Sequence, residues 1–228
     1  MIEHVRRRAL KCEHLSKVIV ATCDEEIGSV VRSNGGNVIM TSRKHLNGTT
    51  RVAEAVSTLE CTHVILLQGD EPLVLPRHIE KMVAAIEAEP DVMAWNLVGQ
   101  IERPDELDKS SFVKCSVNEA GEIFFCFRRS PYFSEFNLQR IFTRKMLGIL
   151  AYRKDFLLKL VSLPPSPSEQ AESIEQIRII ENGYRLGSVE VSPSLPSVNE
   201  PSDLESVIYN LNNDSEQVRL LEELIKVR

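Results

Sequence analysis

The pattern of apolar and polar positions begins with Val18-Ile19-Val20-Ala21-Thr22, a short β-rich run. Thr22-Cys23-Asp24-Glu25 follows with capping-box spacing, and Ile27, Val30 and Val31 then recur at helical intervals. That helix is expected to stop at Asn34-Gly35-Gly36, where glycine takes the left-handed conformation without steric cost. Val38-Ile39-Met40 predicts a second strand, and Thr50 to Leu59 a second helix. Val64-Ile65-Leu66-Leu67 shows no polar alternation, which predicts a strand covered on both faces. Pro76 opens a helix to about Glu89 whose Ile79, Met82, Val83 and Ile86 share one face. Repeated strand–helix–strand units of this kind imply an α/β fold with a parallel sheet and right-handed crossovers.

The pattern then changes. Phe112 to Val117 and Glu122 to Phe127 flank Asn118-Glu119-Ala120-Gly121, which is a hairpin signal and predicts an antiparallel section. Residues 128–144 are basic and aromatic and contain Pro131, so they are expected to form a mobile arm or loop. Met146 to Tyr152 predicts a strand and Phe156 to Leu163 a short helix ended by Pro164-Pro165. A long helix is expected over Glu169 to Glu181, closed by Asn182-Gly183, then a strand over Leu186 to Val191 and two helices after Pro201. Residues 1–228 thus predict one α/β domain with a β-rich insertion at about 110–145.

Composition narrows the classes. Hydrophobic residues form 43% and charged residues 26%, as in ordinary globular proteins. The net charge of −6 gives no global attraction for nucleic acid or an anionic membrane. No apolar run reaches the roughly 18 residues of a membrane span, and the start of the chain lacks the apolar stretch of a secretory signal. The five cysteines occur singly, and the five histidines are scattered. That argues against a disulfide framework and against zinc, and for reduced thiols in a cytoplasmic protein.

Three segments could carry chemistry. Gln68-Gly69-Asp70-Glu71-Pro72 follows the apolar strand directly, and open α/β sheets bind ligands beyond their strands' carboxyl ends. A carboxylate there can hold Mg²⁺, which needs few protein ligands, and Gly69 allows close approach to the backbone. The same residues would also serve as a plain turn. Asn47-Gly48-Thr49-Thr50-Arg51 leads into a helix, so its N–H groups, hydroxyls and guanidinium suit a base edge or phosphate, or equally an N-cap beside a solvated arginine. In the polar stretch Glu169 to Arg178, Ile174 and Ile177 mark the core side, while Glu172, Glu175 and Gln176 could reach sugar hydroxyls or simply face water. Arg6-Arg7-Arg8 reads as a surface cluster, and Phe124-Phe125-Cys126-Phe127 as core strand.

The order of these segments resembles one family. Val18 to Thr22, Gly35-Gly36, Met40-Thr41-Ser42, Asn47 to Arg51, Gln68 to Pro72, Leu147-Gly148-Ile149-Leu150-Ala151-Tyr152-Arg153, Glu172 to Arg178, Glu181-Asn182-Gly183 and Val198 to Glu205 are similar to 3-deoxy-manno-octulosonate (Kdo) cytidylyltransferases, the CMP-Kdo synthetases. The resemblance implies a Rossmann-like, mostly parallel sheet of nucleotidyltransferase type, with a β-rich insertion through which a homodimer forms. It implies transfer of CMP from CTP to an acid sugar, with pyrophosphate released, for lipopolysaccharide synthesis in the cytoplasm. Asp70 and Arg51 are then the catalytic residues. Asn47, Gly48, Thr49, Thr50, Arg51, Gln68 and Gly69 bind the nucleotide, Glu175 and Gln176 the sugar, and Asp70 with Asn199 the Mg²⁺.

The sequence departs from the family pattern in several places. Thr50 and Asn199 stand where the family usually has Asp, and Met146 where it has His. Met1 to Val5 matches the helix that follows the family's first strand and its Gly/Arg/Lys-rich phosphate loop. Without that strand the chain is expected to be marginal or aggregation-prone, or rearranged so that Val18–Thr22 and Val64–Leu67 close up or are bridged by a partner. These departures leave room for a different acid acceptor, such as a nonulosonate or modified Kdo, or for a catalytically inactive nucleotide-binding homologue.

Overall fold

The structure, a computed structural model, describes residues 1–226. Its elements are α1 (Ile2–Ala9), β1 (Ile19–Thr22), α2 (Glu25–Ser33), β2 (Asn37–Met40), α3 (Gly48–Ser57), β3 (His63–Leu67), α4 (Pro76–Ala88) and β4 (Ala94–Gln100). After a 3₁₀ turn at Pro104–Leu107 come β5 (Lys114–Val117), β6 (Ile123–Phe127), α5 (Phe136–Phe142), β7 (Thr143–Arg153), α6 (Lys154–Ser162), α7 (Pro167–Glu172), α8 (Gln176–Glu181), β8 (Leu186–Glu190), α9 (Asp203–Asn213) and α10 (Ser215–Lys226).

Local chemistry explains the boundaries. Asp24 caps α2, accepting from the N–H groups of Glu26 and Ile27; Thr22 instead accepts from the Asp24 N–H, so the expected capping box is replaced by a single aspartate. Gly35, at φ +71°, ends that helix as expected. Asn47 caps α3 by accepting from the Thr50 N–H, and Pro76 occupies the first turn of α4.

The main sheet is mixed and centres on β7. Its eleven residues give one edge to β4 and share the other between β5, at Thr143–Lys145, and β3, at Ile149–Arg153. All three ladders are antiparallel, so β3, β4 and β5 run in one direction. β8 joins β4 in parallel, and β6 closes the hairpin on β5. β1 and β2 form a separate parallel pair, and among the described residues no ladder joins them to β3. The two strands expected to close up therefore do not pair; α3 packs against both.

Alternation along β7 divides the core. Met146, Leu150 and Tyr152 face a cluster built by α3, α6 and α8, while Leu147, Ile149 and Ala151 face one built by α1 and α4. A smaller group, Leu75, Leu220 and Leu224, seats α10.

Both faces of β3 are covered, as expected, although only Leu66 is fully buried: Val64 and Leu66 meet the first cluster, Ile65 and Leu67 the second. Four other expectations need correction. Residues 128–144 are not a mobile arm: they hold α5 and the start of β7, with Tyr132 packed edge-on against Phe127 and Phe142 and its hydroxyl 2.6 Å from that of Ser116. The single long helix is two, broken where Ser173 turns left-handed at φ 54°. In the arginine cluster, Arg6 and Arg8 are buried, each with its own set of acceptors. The Phe124–Phe127 strand is split as well: Cys126 and Phe127 are buried, Phe124 and Phe125 exposed.

Candidate functional site

The residues expected to act together lie along one face of β7, in two groups. The first is the turn after β3. The Gln68 N–H donates to the Gly148 carbonyl at 2.8 Å, and the Gly148 N–H donates back to Glu71 Oε1 at 2.8 Å. This pins the turn to β7 on both sides of Asp70. A Cβ on residue 148 would lie 2.6 Å from Glu71 Oε1 and 2.7 Å from Gln68 Oε1, so only glycine admits the arrangement. The Asp70 carbonyl accepts from the Val198 N–H at 2.9 Å, which brings the segment carrying Asn199 beside it.

The electrostatics of this turn are unusual. Burial raises the Asp70 carboxyl above its ordinary pKa, and its buried Oδ1 has no hydrogen-bond partner. Burial pushes Glu71 up to about 7, and the neighbouring Asp70 adds to the rise while the Gly148 N–H opposes it. Two adjacent desolvated carboxyls, one with an oxygen left unsatisfied, are costly unless a cation or donor completes the site. Among the described residues no group of three or more His, Cys, Asp or Glu side chains could hold a metal alone. Any cation here would draw on Asp70, on neutral oxygens near it and on non-protein oxygens. Asn199 is exposed, and its backbone N–H is taken by Asp203 at 2.9 Å.

The second group is the start of α3. Asn47 Oδ1 accepts from both the N–H and the hydroxyl of Thr50, at 2.9 and 2.8 Å. Arg51 donates to the Thr41 hydroxyl at 2.7 Å and so ties α3 to the end of β2. Thr49 is buried, and its hydroxyl bonds both the Glu175 carboxylate and the Tyr152 hydroxyl. A carboxylate only accepts, so in its bond with Glu175 the Thr49 hydroxyl is the donor. Burial raises the Glu175 pKa, with the Thr49 bonds opposing. The space between Asn47, Thr50, Glu175 and Arg178 is a cavity of about 10 Å³, room for roughly one water.

Gln176 connects the two groups. Its amide donates to Asn96 Oδ1 at 3.1 Å, and Asn96 Nδ2 donates to the Leu147 carbonyl at 2.9 Å, next to Gly148. The break at Ser173 allows Ile174 to stay in the core while Glu175 meets α3 and Gln176 meets β4.

The structure therefore gathers Gln68, Gly69 and Asp70 at one end of this face, and Asn47, Gly48, Thr49, Thr50 and Arg51 with Glu175 at the other. Asn199 reaches the first group through its neighbour Val198. Glu71, Asn96, Gly148 and Tyr152 are given no role of their own by the sequence alone. Glu71 adjoins Asp70 and could have been given one; the others acquire their roles only through contacts distant in sequence.

Comparison with known proteins follows the same outline. A family model described as cytidylyltransferase matches residues 1–189. The 3-deoxy-manno-octulosonate cytidylyltransferase of Geobacter metallireducens is 35% identical over 93% of this chain and 87% of its own. That of Escherichia coli is 36% identical, over 91% and 83%. The chain belongs to the Kdo cytidylyltransferase family. A CMP:2-keto-3-deoxy-manno-octonic acid synthetase solved in complex with CTP superposes with a TM-score of 0.85 at 34% identity, over 93% of this chain and 88% of that one. An inositol-1-phosphate CTP transferase from T. maritima, 18% identical with a TM-score of 0.63, shares the fold alone, over 92% of this chain and 81% of its own. As a Kdo cytidylyltransferase family member the chain is a nucleotidyltransferase, and among its described residues no helix is long and apolar enough to cross a membrane. The family model stops short of Asn199, α9 and α10, whereas the curated relatives align over more than nine-tenths of the chain.

Proposed function

We propose that the chain transfers CMP from CTP to the anomeric hydroxyl of Kdo, releasing pyrophosphate, and acts in the cytoplasm. The sugar oxygen attacks the α-phosphorus, the bond to pyrophosphate breaks, and the hydroxyl proton leaves to solvent. The observation that carries the proposal is the partnerless, buried Oδ1 of Asp70, carried on a turn that Gly148 and Glu71 hold in place. Such an oxygen suits Mg²⁺, which keeps waters and phosphate oxygens as its other ligands. Asp70 would hold the ion, with Asn199 beside it contributing a neutral carbonyl. Bound there, Mg²⁺ would neutralise phosphate charge.

The remaining work falls to the chain's own side chains. Asn47, Gly48, Thr49 and Thr50 present the start of α3 to the nucleotide, with Gln68 and Gly69 at the opposite end of the face. Arg51, held by the Thr41 hydroxyl and the Ser42 carbonyl just after β2, acts on the phosphates as a fixed positive charge. Glu175 and Gln176 are engaged by Thr49 and Asn96, so they orient the acceptor through the shape of the site more than through free hydrogen-bonding groups. That engagement favours a second reading for the acceptor, in which a related acid such as a nonulosonate or modified Kdo takes the place of Kdo.

Residues 1–228 would act as one unit that pairs through the insertion at about 110–145. Phe124 and Phe125 are 50% and 43% exposed on β6, the end strand of the sheet, and Leu138 and Ile141 are exposed on α5. Apolar side chains on an open sheet edge suit a second copy. Pyrophosphate release from CTP and Mg²⁺ with a panel of acid sugars tests the reaction and names the acceptor. Turnover is expected with Kdo and is expected to be lost in Asp70→Asn. Absence of CTP-dependent release with every acid would favour the inactive nucleotide-binding homologue.

A further inference from the structure

The turn that carries Asp70 is gripped from behind by residues with no place in the reaction. Pro72, Leu73 and Val74 follow Asp70 and Glu71, and each backbone carbonyl faces a side chain from a terminal helix. His4 Nε2 lies 2.9 Å from the Pro72 carbonyl. Gln217 Nε2 donates to that of Leu73 at 2.9 Å, and Arg8 Nη1 to that of Val74 at 3.1 Å. The three side chains also bond one another: Arg8 Nη1 donates to Gln217 Oε1 at 2.7 Å, and Arg8 Nε approaches His4 Nε2 at 2.8 Å. A single ring nitrogen serves one of its two neighbours at a time, so His4 either donates to Pro72 or accepts from Arg8. Arg8 and Gln217 are both 0% exposed.

The energetics argue that this arrangement does more than fill space. A guanidinium buried without a carboxylate is costly, and none of the ion pairs among the described residues includes Arg8. Burial lowers its pKa to about 10, and its Nη2 has no hydrogen-bond partner. A methionine of similar volume would serve packing alone at lower cost. What the guanidinium supplies is several donors in a fixed fork, which lets one side chain bond Val74 and Gln217 together. Its charge does not set the Asp70 pKa, which is raised by burial, so its effect on the site is geometric.

We propose that Arg8, with His4 and Gln217, forms a positioning network that fixes the Asp70 turn by holding the Leu73 and Val74 carbonyls behind it, and that of Pro72 when His4 donates. The proposal rests on Asp70 as the metal ligand for its functional consequence, and on geometry alone for the placement of the turn. It ties the metal end of the site to α1 and α10, elements that contribute no ligand of their own. Arg8→Lys keeps the charge but cannot bond Val74 and Gln217 with the same geometry. Gln217→Ala removes the donor to Leu73 and one acceptor of Arg8 while leaving the helix intact.

The experiment compares wild type, Arg8→Lys and Gln217→Ala by calorimetric titration with Mn²⁺, by CTP binding in chelator, and by amide exchange at Glu71, Val74 and Val198. Both variants are expected to bind Mn²⁺ at least fivefold more weakly, to bind metal-free CTP unchanged, and to exchange those three amides at least tenfold faster. If Arg8→Lys does not fold, Gln217→Ala alone decides. Folded variants with wild-type exchange at these amides would overturn the network. Uniformly faster exchange across the whole protein, with metal affinity unchanged, would also overturn it, because it would mark a merely structural role. Wild-type protein that binds no Mn²⁺ would instead remove the assignment of Asp70 as metal ligand, and the exchange result would still judge the positioning.

Discussion

Gly148→Ala is the sharpest single perturbation of the candidate site, because its effect is steric and its sign can be worked out. Gly148 is a strand residue with no positive φ, so alanine meets no backbone strain there. In an open position the exchange would stabilise by about 0.4–1 kcal/mol through the unfolded chain. Here the new methyl sits 2.6 and 2.7 Å from two side-chain oxygens, where ordinary contact needs about 3.4 Å or more. Exposed Gln68 can swing its amide into solvent, but Glu71 is buried, and its retreat carries an overpacking cost of about 1–3 kcal/mol. Retreat of Glu71 also breaks its 2.8 Å bond from the Gly148 N–H, leaving a partly buried pair unsatisfied at about 1–3 kcal/mol. The net is a loss of about 2–4 kcal/mol. For a chain of this size that lowers the melting temperature by about 5–15 °C. Displacing the turn should also reduce pyrophosphate release more than tenfold in protein that is still folded. The assay is a thermal melt of Gly148→Ala, Glu71→Ala and the double variant, with turnover measured below the lowest transition. Because Glu71 owns one of the clashing oxygens, the two changes should be non-additive by about 1 kcal/mol or more. A Gly148→Ala protein that melts within 1 °C of wild type with normal turnover, or strict additivity, would refute this account of the turn.

Three further outcomes follow from the geometry. Thr49→Ala removes the hydroxyl shared by Glu175 and Tyr152, and orphaning these groups should cost about 2–4 kcal/mol in a denaturant titration, whereas Thr49→Ser should recover most of it. Ser173→Gly relieves a left-handed residue worth about 1 kcal/mol and should raise the melting temperature by about 2–4 °C without altering CTP binding. His78 is buried and its pKa is lowered to about 4, chiefly by burial, so below about pH 6.5 the unfolded chain binds a proton that the folded chain refuses. Stability should therefore fall as pH drops from about 6.5 to 4, by up to about 3 kcal/mol from this group, and His78→Gln should make that limb of a pH-dependent melt shallower, the remainder coming from His4 and His63, whose pKa values burial also lowers.

What could be read from the chain was what its local chemistry decides. β1, β2, α4 and the β5–β6 hairpin depend on runs, caps and turn residues within a few positions, and they lie close to where the pattern placed them. β4 escaped notice because Asn96 interrupts its apolar run. Asn96 is fully buried, and the partners that make this tolerable are Leu147 and Gln176, 51 and 80 residues away. The break at Ser173 was hidden for a related reason: Ile174 and Ile177 keep helical spacing and both reach the core, so the apolar pattern survives the interruption. Arg8 is the extreme case. Beyond His4, its acceptors lie 66 and 209 residues along the chain, so the sequence around it gives little to distinguish it from its half-exposed neighbour Arg7.

The same logic explains why the candidate site sits where the sheet stops being parallel. In a purely parallel sheet, the turns after successive strands line one rim, and each is placed by its own strand end. Here β7 runs against β3 and β4, so its backbone passes the end of β3 and continues under α3. Gly148 and Tyr152 are four residues apart on β7, hence on one face and roughly 13 Å apart. Gly148 fixes the Asp70 turn through Gln68 and Glu71, and Tyr152 fixes the start of α3 through Thr49. One strand thereby sets the spacing between a carboxylate and a helix start that belong to different elements. A slip of β7 by one residue against β3 would turn Gly148 away from Glu71 and Tyr152 away from Thr49 together. Leu147, Ile149 and Ala151 fill one cluster and Met146, Leu150 and Tyr152 the other, so such a slip would also exchange side chains of different size between two packed clusters; the packing of the core and the spacing of the site thus depend on the same strand.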